Sequence, residues 1–203
     1  MDELAVMTGK DPVEFRLAML DASGKNAGTS PNSVGGALRQ AAVLKDVAKR
    51  SGWGKQLPKG EGMGVAVSFG QERNNPTWTA CVAHVAVDGK KVTVKKIWQT
   101  IDCGTVVHPD GAMAQAEGAT LWGVSLALHE GTQFANGQVK DRNLDTYTPL
   151  RMADVPELDI KLMDSTEFPM GMGEPPLIAV PPAIGNAIFA ATGKRVRDLP
   201  IRL

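Results

Sequence analysis

One hairpin constrains this chain more than any other feature. From Thr77 to Val87 the residues favour a strand, and from Ala80 on only His84 interrupts the apolar run. Asp88-Gly89 then supplies a turn dipeptide, and Lys91 to Ile101 returns with strand character. An Asp-Gly pair between two such runs is a strong local signal for a β-hairpin. Gly64 to Phe69 reads as another strand ahead of it. If Asp88-Gly89 is the whole turn, Cys81 falls opposite Lys96. Cys103 then lies about seven residues, or roughly 23 Å, further along the strand. No disulfide is expected between them, only two buried thiols.

Helical signals flank this strand region. Residues 2–21 read as two short helices, broken at Thr8-Gly9-Lys10-Asp11-Pro12. Gly9 suits a C-cap, Asp11 an N-cap, Pro12 the first helical position and Glu14 the third. Residues 22–33 have the composition of a loop. A third helix is predicted over about 34–51, with Leu38, Ala41, Ala42, Leu44, Val47 and Ala48 apolar. After the hairpin, a helix is predicted over about 110–129. It carries Gly111, Ala112, Ala114, Ala116, Gly118, Ala119, Gly123, Ser125 and Ala127. So many small residues let another backbone or a flat ligand approach closely. Gln115 and Glu117 in the same helix need polar partners if they are buried. Asn136-Gly137 is a turn candidate, residues 157–166 alternate like a half-buried strand, and a last helix covers about 181–192 up to Gly193. Arg195, Arg197 and Arg202 read as a solvated basic tail. The fold class is α+β, a mixed or antiparallel sheet flanked by helices. It divides into a helical segment at 1–52 and a sheet with helices at 62–203.

Composition excludes several classes of function. Lys plus Arg and Asp plus Glu are both 22, so the formal charge is zero and no basic stripe suggests nucleic acid. Two cysteines without a CxxC motif support neither an iron–sulfur cluster nor a zinc ribbon. Three scattered histidines do not suggest a metal site. No apolar run of 18 residues and no signal-peptide pattern is apparent.

The most rigid stretch is Gly171-Met172-Gly173-Glu174-Pro175-Pro176. The two prolines fix their own φ and donate no backbone hydrogen bond. Pro175 biases Glu174 toward extended geometry. Gly171 and Gly173 permit positive φ or close approach. Glu174 on such a corner reads either as the acid beside a helix N-terminus or as a general base held out on a stiff loop.

Five motifs in register then carry a resemblance: Asp102-Cys103-Gly104, His108-Pro109, Gln115-Ala116-Glu117-Gly118-Ala119, Tyr147-Thr148-Pro149 and Gly173-Glu174-Pro175-Pro176. In order and spacing the chain resembles the large subunit of molybdenum hydroxylases, the xanthine dehydrogenase and aldehyde oxidase family. The opening Asp2-Glu3-Leu4-Ala5 and the ending Ala187 to Arg195 look most like the isoquinoline 1-oxidoreductase β-subunit branch. The resemblance covers nearly the whole chain and places it in the C-terminal portion of such a subunit. It implies hydroxylation of an N-heterocycle or aldehyde with oxygen taken from water, using a molybdopterin cofactor in its plain or dinucleotide form. Glu174 would be the catalytic general base. Gln115, Gly118 and Gly173 would contribute to cofactor binding, and no residue here would ligate a metal. Tyr147 would be structural. Implied partners are the remainder of the subunit, a [2Fe–2S] subunit and a cytochrome or other acceptor. The family resemblance leaves the compartment open between cytoplasm and periplasm. A rival expectation is a non-catalytic, cofactor-free fragment that self-associates as a homo-oligomer. A weaker one is an unrelated binding module, with Glu174 solvated and remote from any cleft.

Overall fold

The computed structural model describes residues 1–20, 36–72 and 75–203. A four-stranded sheet forms its centre. Strands β1 (Glu61–Glu72), β2 (Asn75–Asp88) and β3 (Lys91–Asp102) run antiparallel in sequence order. β6 (Glu157–Leu162) joins the far edge parallel to β3. A parallel neighbour needs a crossover, and helix α4 (Pro109–Leu128) lies in the connection. The sheet is therefore mixed, as expected. Its fourth strand is shorter than the predicted 157–166.

The hairpin register differs from the expected one. Asp88 pairs with Lys91, so Gly89 and Lys90 form the turn, and Gly89 takes φ 58°. A bulge between His84 and Val85 adds a further shift, so Cys81 lies opposite Gln99 and His84 opposite Lys96. An inserted residue in one strand offsets every pair beyond it. Both cysteines are free and buried, and burial pushes the Cys81 thiol well above its ordinary value.

Alternating side chains give the sheet two different faces. Met63, Val65, Ala80, Val82 and Trp98 turn to one side, where α3 (Gly36–Ser51) contributes Val43, Leu44 and Val47, and α2 (Pro12–Leu17) adds Val13. Leu38 is 60 % exposed and takes no part in that core. The expected loop at 22–33 lies outside the described residues. Asp11 caps α2 as expected, its Oδ1 accepting from the amides of Val13 (2.8 Å) and Glu14 (3.1 Å). Arg39 on α3 donates a paired hydrogen bond to Asp102 at the end of β3, at 2.8 and 2.6 Å, with both groups buried. A second polar clasp joins Asp46 and Arg50 of α3 to Thr100 of β3 and to Asp159 and Lys161 of β6.

The opposite face is covered by α6 (Val180–Thr192), with α4 and the short α5 (Pro175–Ile178) beside it. Ala83, Val85, Ile97, Val124, Ile184 and Ile188 form this core. Burying each isoleucine contributes about 1.5–3 kcal/mol. Gly62 and Gly64 allow α6 to sit almost on the backbone of β1. A Cβ at Gly64 would meet Ala187 N at 2.1 Å and Ala183 O at 2.3 Å. Gly193 ends α6 in the left-handed region at φ 74°.

The stretch Pro175–Thr192 has the length and apolar composition of a membrane span, which the sequence reading did not anticipate. In this fold its apolar side packs on the sheet. Of the C-terminal arginines, Arg195 departs from expectation. Arg195 donates to Asp2 at 2.7 Å and stacks over Phe189, Arg197 pairs with Glu3, and Arg202 donates to Leu128 O. Acidic residues at the first helix thus hold Arg195 and pair with Arg197, while Arg197 and Arg202 stay exposed, as expected of a solvated tail. At Asn136-Gly137 both residues take positive φ, closing the small β4–β5 hairpin (Phe134–Ala135 and Gln138–Val139) as expected.

Candidate functional site

Glu174 stands at a corner fastened through backbone carbonyls. Thr77 Oγ1 on β2 donates to Gly171 O at 2.6 Å, and Thr79 Oγ1 reaches Pro175 O at 3.4 Å. Gln115 Nε2 on α4 donates to Gly173 O at 3.0 Å, and Gln99 Nε2 on β3 donates to Pro176 O. The Leu177 amide closes the first turn onto Glu174 O at 2.9 Å. With two prolines at its start, α5 offers few amides of its own, so side chains from three elements supply the donors.

This fastening corrects the expected backbone geometry. Glu174 lies at φ −94°, ψ −34°, in the helical region, as the N-cap residue of α5. A following proline disfavours that conformation, but the hydrogen bonds on both sides of Glu174 outweigh the local bias. The helix-start alternative is thus the observed geometry. Its side chain nonetheless caps nothing. The carboxylate is exposed and has no hydrogen-bond or salt-bridge partner among the described residues. Gly173 is not among the glycines with positive φ; it contributes a carbonyl.

Helix α4 lies beside the corner and has two unlike faces. Ala116, Ala119, Thr120, Gly123, Val124 and Ala127 are buried against the sheet side. Ala114, Gln115, Gly118 and Trp122 are exposed. Gly118 has nothing within 4 Å of where a Cβ would stand, whereas a Cβ at Gly123 would meet Val180 at 2.7 Å. The small residues of this helix thus serve two ends: one face meets the chain's own core and the other is bare. His108 caps α4, its Nδ1 accepting from the Gly111 amide at 2.7 Å.

Structure therefore brings Gln115, Gly173 and Glu174 together and places Gly118 one helical turn beyond Gln115. Gln115 gives one amide hydrogen to Gly173, and its carbonyl oxygen has no hydrogen-bond partner among the described residues. An open strip with one amide acceptor, a bare glycine and a carboxylate on a fastened backbone fits a flat, polar, hydrogen-bonding cofactor. Tyr147 sits apart from this group. Its hydroxyl donates to Glu130, and that bond raises the phenol above its ordinary value. No cluster of metal-binding side chains occurs among the described residues. Sequence reasoning missed Gln99. Its signal was a lone amide between Ile97 and Ile101 on one face of β3.

Comparison with known proteins gives the family. A model of the molybdopterin cofactor-binding domain matches residues 12–156, a span that includes Gln115 and Gly118 but stops short of Glu174. The chain belongs to this family, that of the molybdenum-binding subunits of xanthine dehydrogenase and aldehyde oxidoreductase type. A membrane-bound aldehyde dehydrogenase of Gluconacetobacter polyoxogenes, named with pyrroloquinoline quinone, is 55 % identical and aligns with 100 % of this chain and 26 % of its own length. The isoquinoline 1-oxidoreductase subunit beta of Brevundimonas diminuta is 33 % identical over 100 % of this chain and 24 % of its own. The solved aldehyde oxidoreductase of Desulfovibrio gigas shares the fold at TM-score 0.52 and 28 % identity, over 60 % of this chain and 14 % of its own. The chain spans about a quarter of the length of the two curated relatives.

Proposed function

We propose that this chain is the C-terminal portion of the molybdopterin-binding subunit of a molybdenum hydroxylase acting on an aldehyde or N-heterocycle. The observation that carries this reading is the fastened corner, which presents a free carboxylate beside the open face of a helix inside a molybdopterin-binding family. The bound cofactor would supply the redox chemistry and accept the electrons, which leave for [2Fe–2S] clusters on a partner subunit. Oxygen would come from water. Glu174 accepts a proton from the attacking oxygen, and its fastened backbone fixes the point from which its side chain reaches. Gln115 offers its amide oxygen to a hydrogen-bond donor on the cofactor. Gly118 keeps the helix surface flat enough for close approach, and Gly173 supports Gln115. Completing the site requires the remainder of the subunit, since one side of the strip is open here.

The 55 % identical aldehyde dehydrogenase favours an aldehyde as substrate. Its name also supplies a second reading, in which pyrroloquinoline quinone replaces molybdopterin. Elemental and cofactor analysis of the protein purified with the rest of the subunit separates the two. About one equivalent of molybdenum supports the first, and quinone without molybdenum replaces it with the second. Glu174→Gln is expected to lower kcat by about 10²–10⁴-fold, the usual contribution of a general base, with molybdenum content unchanged. Retained turnover in Glu174→Gln removes the base assignment.

A further inference from the structure

We propose that Gln99 is a positioning residue for Glu174, working from beneath the corner as the hidden counterpart of Gln115; this rests on the reading of Glu174 as the base. Gln99 is fully buried. On the same face of β3 stand Ile97 and Ile101, both fully buried as well. An amide in that setting is tolerated only when both of its ends are paired.

Both ends are paired, and to the two elements that define the site. Nε2 donates to Pro176 O, two residues past Glu174. Oε1 accepts from the hydroxyl of Thr120 on α4, at 2.5 Å. Thr120 Oγ1 also lies 2.7 Å from Ala116 O. It has one proton to give, and the amide oxygen has no other donor among the described residues, so the proton belongs to Gln99. Turning the amide over would set Oε1 against the Pro176 carbonyl, two acceptors with no proton between them. The network therefore has a single arrangement.

This arrangement clips the corner to α4 at a second point. Gln115 makes the outer clip, from the exposed face of α4 to Gly173 O. Gln99 and Thr120 make the inner one, from the buried face of α4 to Pro176 O. Glu174 lies between the two anchored carbonyls, so its height over the face of Gln115 and Gly118 is set by both. Removing the inner clip leaves the carboxylate present and loosely aimed, and small misplacements of a reacting group cost up to about 10²-fold in rate.

The test compares Gln99→Leu, Thr120→Val and Thr120→Ser in the intact subunit complex. Hydrogen exchange is read in the peptide containing the Leu177 amide, alongside kcat, KM and molybdenum content. In Gln99→Leu and Thr120→Val, exchange at that peptide is expected to quicken about tenfold. The same two variants should lose about 10- to 100-fold in kcat, with KM and molybdenum content within about twofold of the parent. Thr120→Ser keeps the hydroxyl and should restore both readouts. Unchanged exchange in both Gln99→Leu and Thr120→Val overturns the proposal. So does faster exchange with undiminished kcat in an enzyme that Glu174→Gln inactivates. If Glu174→Gln is itself silent, the base assignment fails, and the exchange readout alone decides whether Gln99 holds the corner.

Discussion

Gly64 on β1 and Gly118 on α4 lie among similarly small residues and end in opposite situations. At Gly64 the missing side chain is replaced by the backbone of α6. At Gly118 it is replaced by nothing among the described residues. Smallness has been used once to close a core and once to leave a surface bare. Composition cannot separate the two, because both places read as glycine and alanine at helical or strand spacing. Only the partner element does, and the partner of Gly64 lies about 120 residues away in sequence.

Substitutions along this contrast should differ in size and then in sign. Gly64→Ala is the most damaging, since its Cβ would meet two backbone atoms of α6 that cannot swing aside. Loss of more than about 3 kcal/mol is expected, above the usual range for overpacking, and urea denaturation should show little or no folded protein. Gly123→Ala, on the closed side of α4, meets the Val180 side chain and Leu177 O. A cost of about 1–2 kcal/mol should remain after the gain in helix propensity, read as a lower melting temperature.

The α3 clasp offers a control far from either glycine. Burial by itself would raise the Asp46 carboxyl, but hydrogen bonds from Lys161, Arg50 and Thr100 and the charge of Arg50 bring it down to about 2. A lowered carboxyl pKa stabilises the fold above the ordinary carboxylate value, and that contribution is lost as pH falls from about 4 to about 2. Between those values, stability should fall less steeply in Asp46→Asn than in the parent; equal slopes would assign the acid sensitivity to other groups. Gly118→Ala comes last, with a stabilisation of up to about 1 kcal/mol from helix propensity and no clash. A drop in molybdenum content in the same variant would show that the open face is occupied in the intact enzyme, and full loading would show that it is not.

What could be read from the sequence follows the range of the forces involved. The Asp11 cap, the Asn136-Gly137 turn and the Gly193 stop depend on neighbours within a few residues, and each formed as expected. The three-strand hairpin region was legible too, but its register was not: the turn centres on Gly89-Lys90 rather than Asp88-Gly89, and the bulge at His84/Val85 leaves no mark in the apolar pattern. Glu174 shows the limit most clearly. Local rules offered a helix start, which formed, and an extended backbone before Pro175, which did not, the corner being held by hydrogen bonds from Thr77, Gln99 and Gln115. Arg195 was misread for the same reason, its acidic partner Asp2 being at the other end of the chain. The family motifs did indicate Gln115, Gly173 and Glu174 as a group, and the fold brings them together; Gly118 adjoins them without contacting them. Nothing local pointed to Gln99, whose partners come from α4 and α5.

The return of α6 to β1 and β2 also sets an order of events during synthesis. The β2–β3 hairpin is complete at Asp102, while the helix that covers its second face ends at Thr192, about 90 residues later. At about 5–20 residues per second, that face waits roughly 5–20 s for its cover. Through this interval Ala83, Val85 and Ile97 are exposed on a nascent chain, and a neighbouring chain with the same bare strands is a competing partner. Slowing elongation between these two points should therefore lower soluble yield before it changes anything in the finished fold.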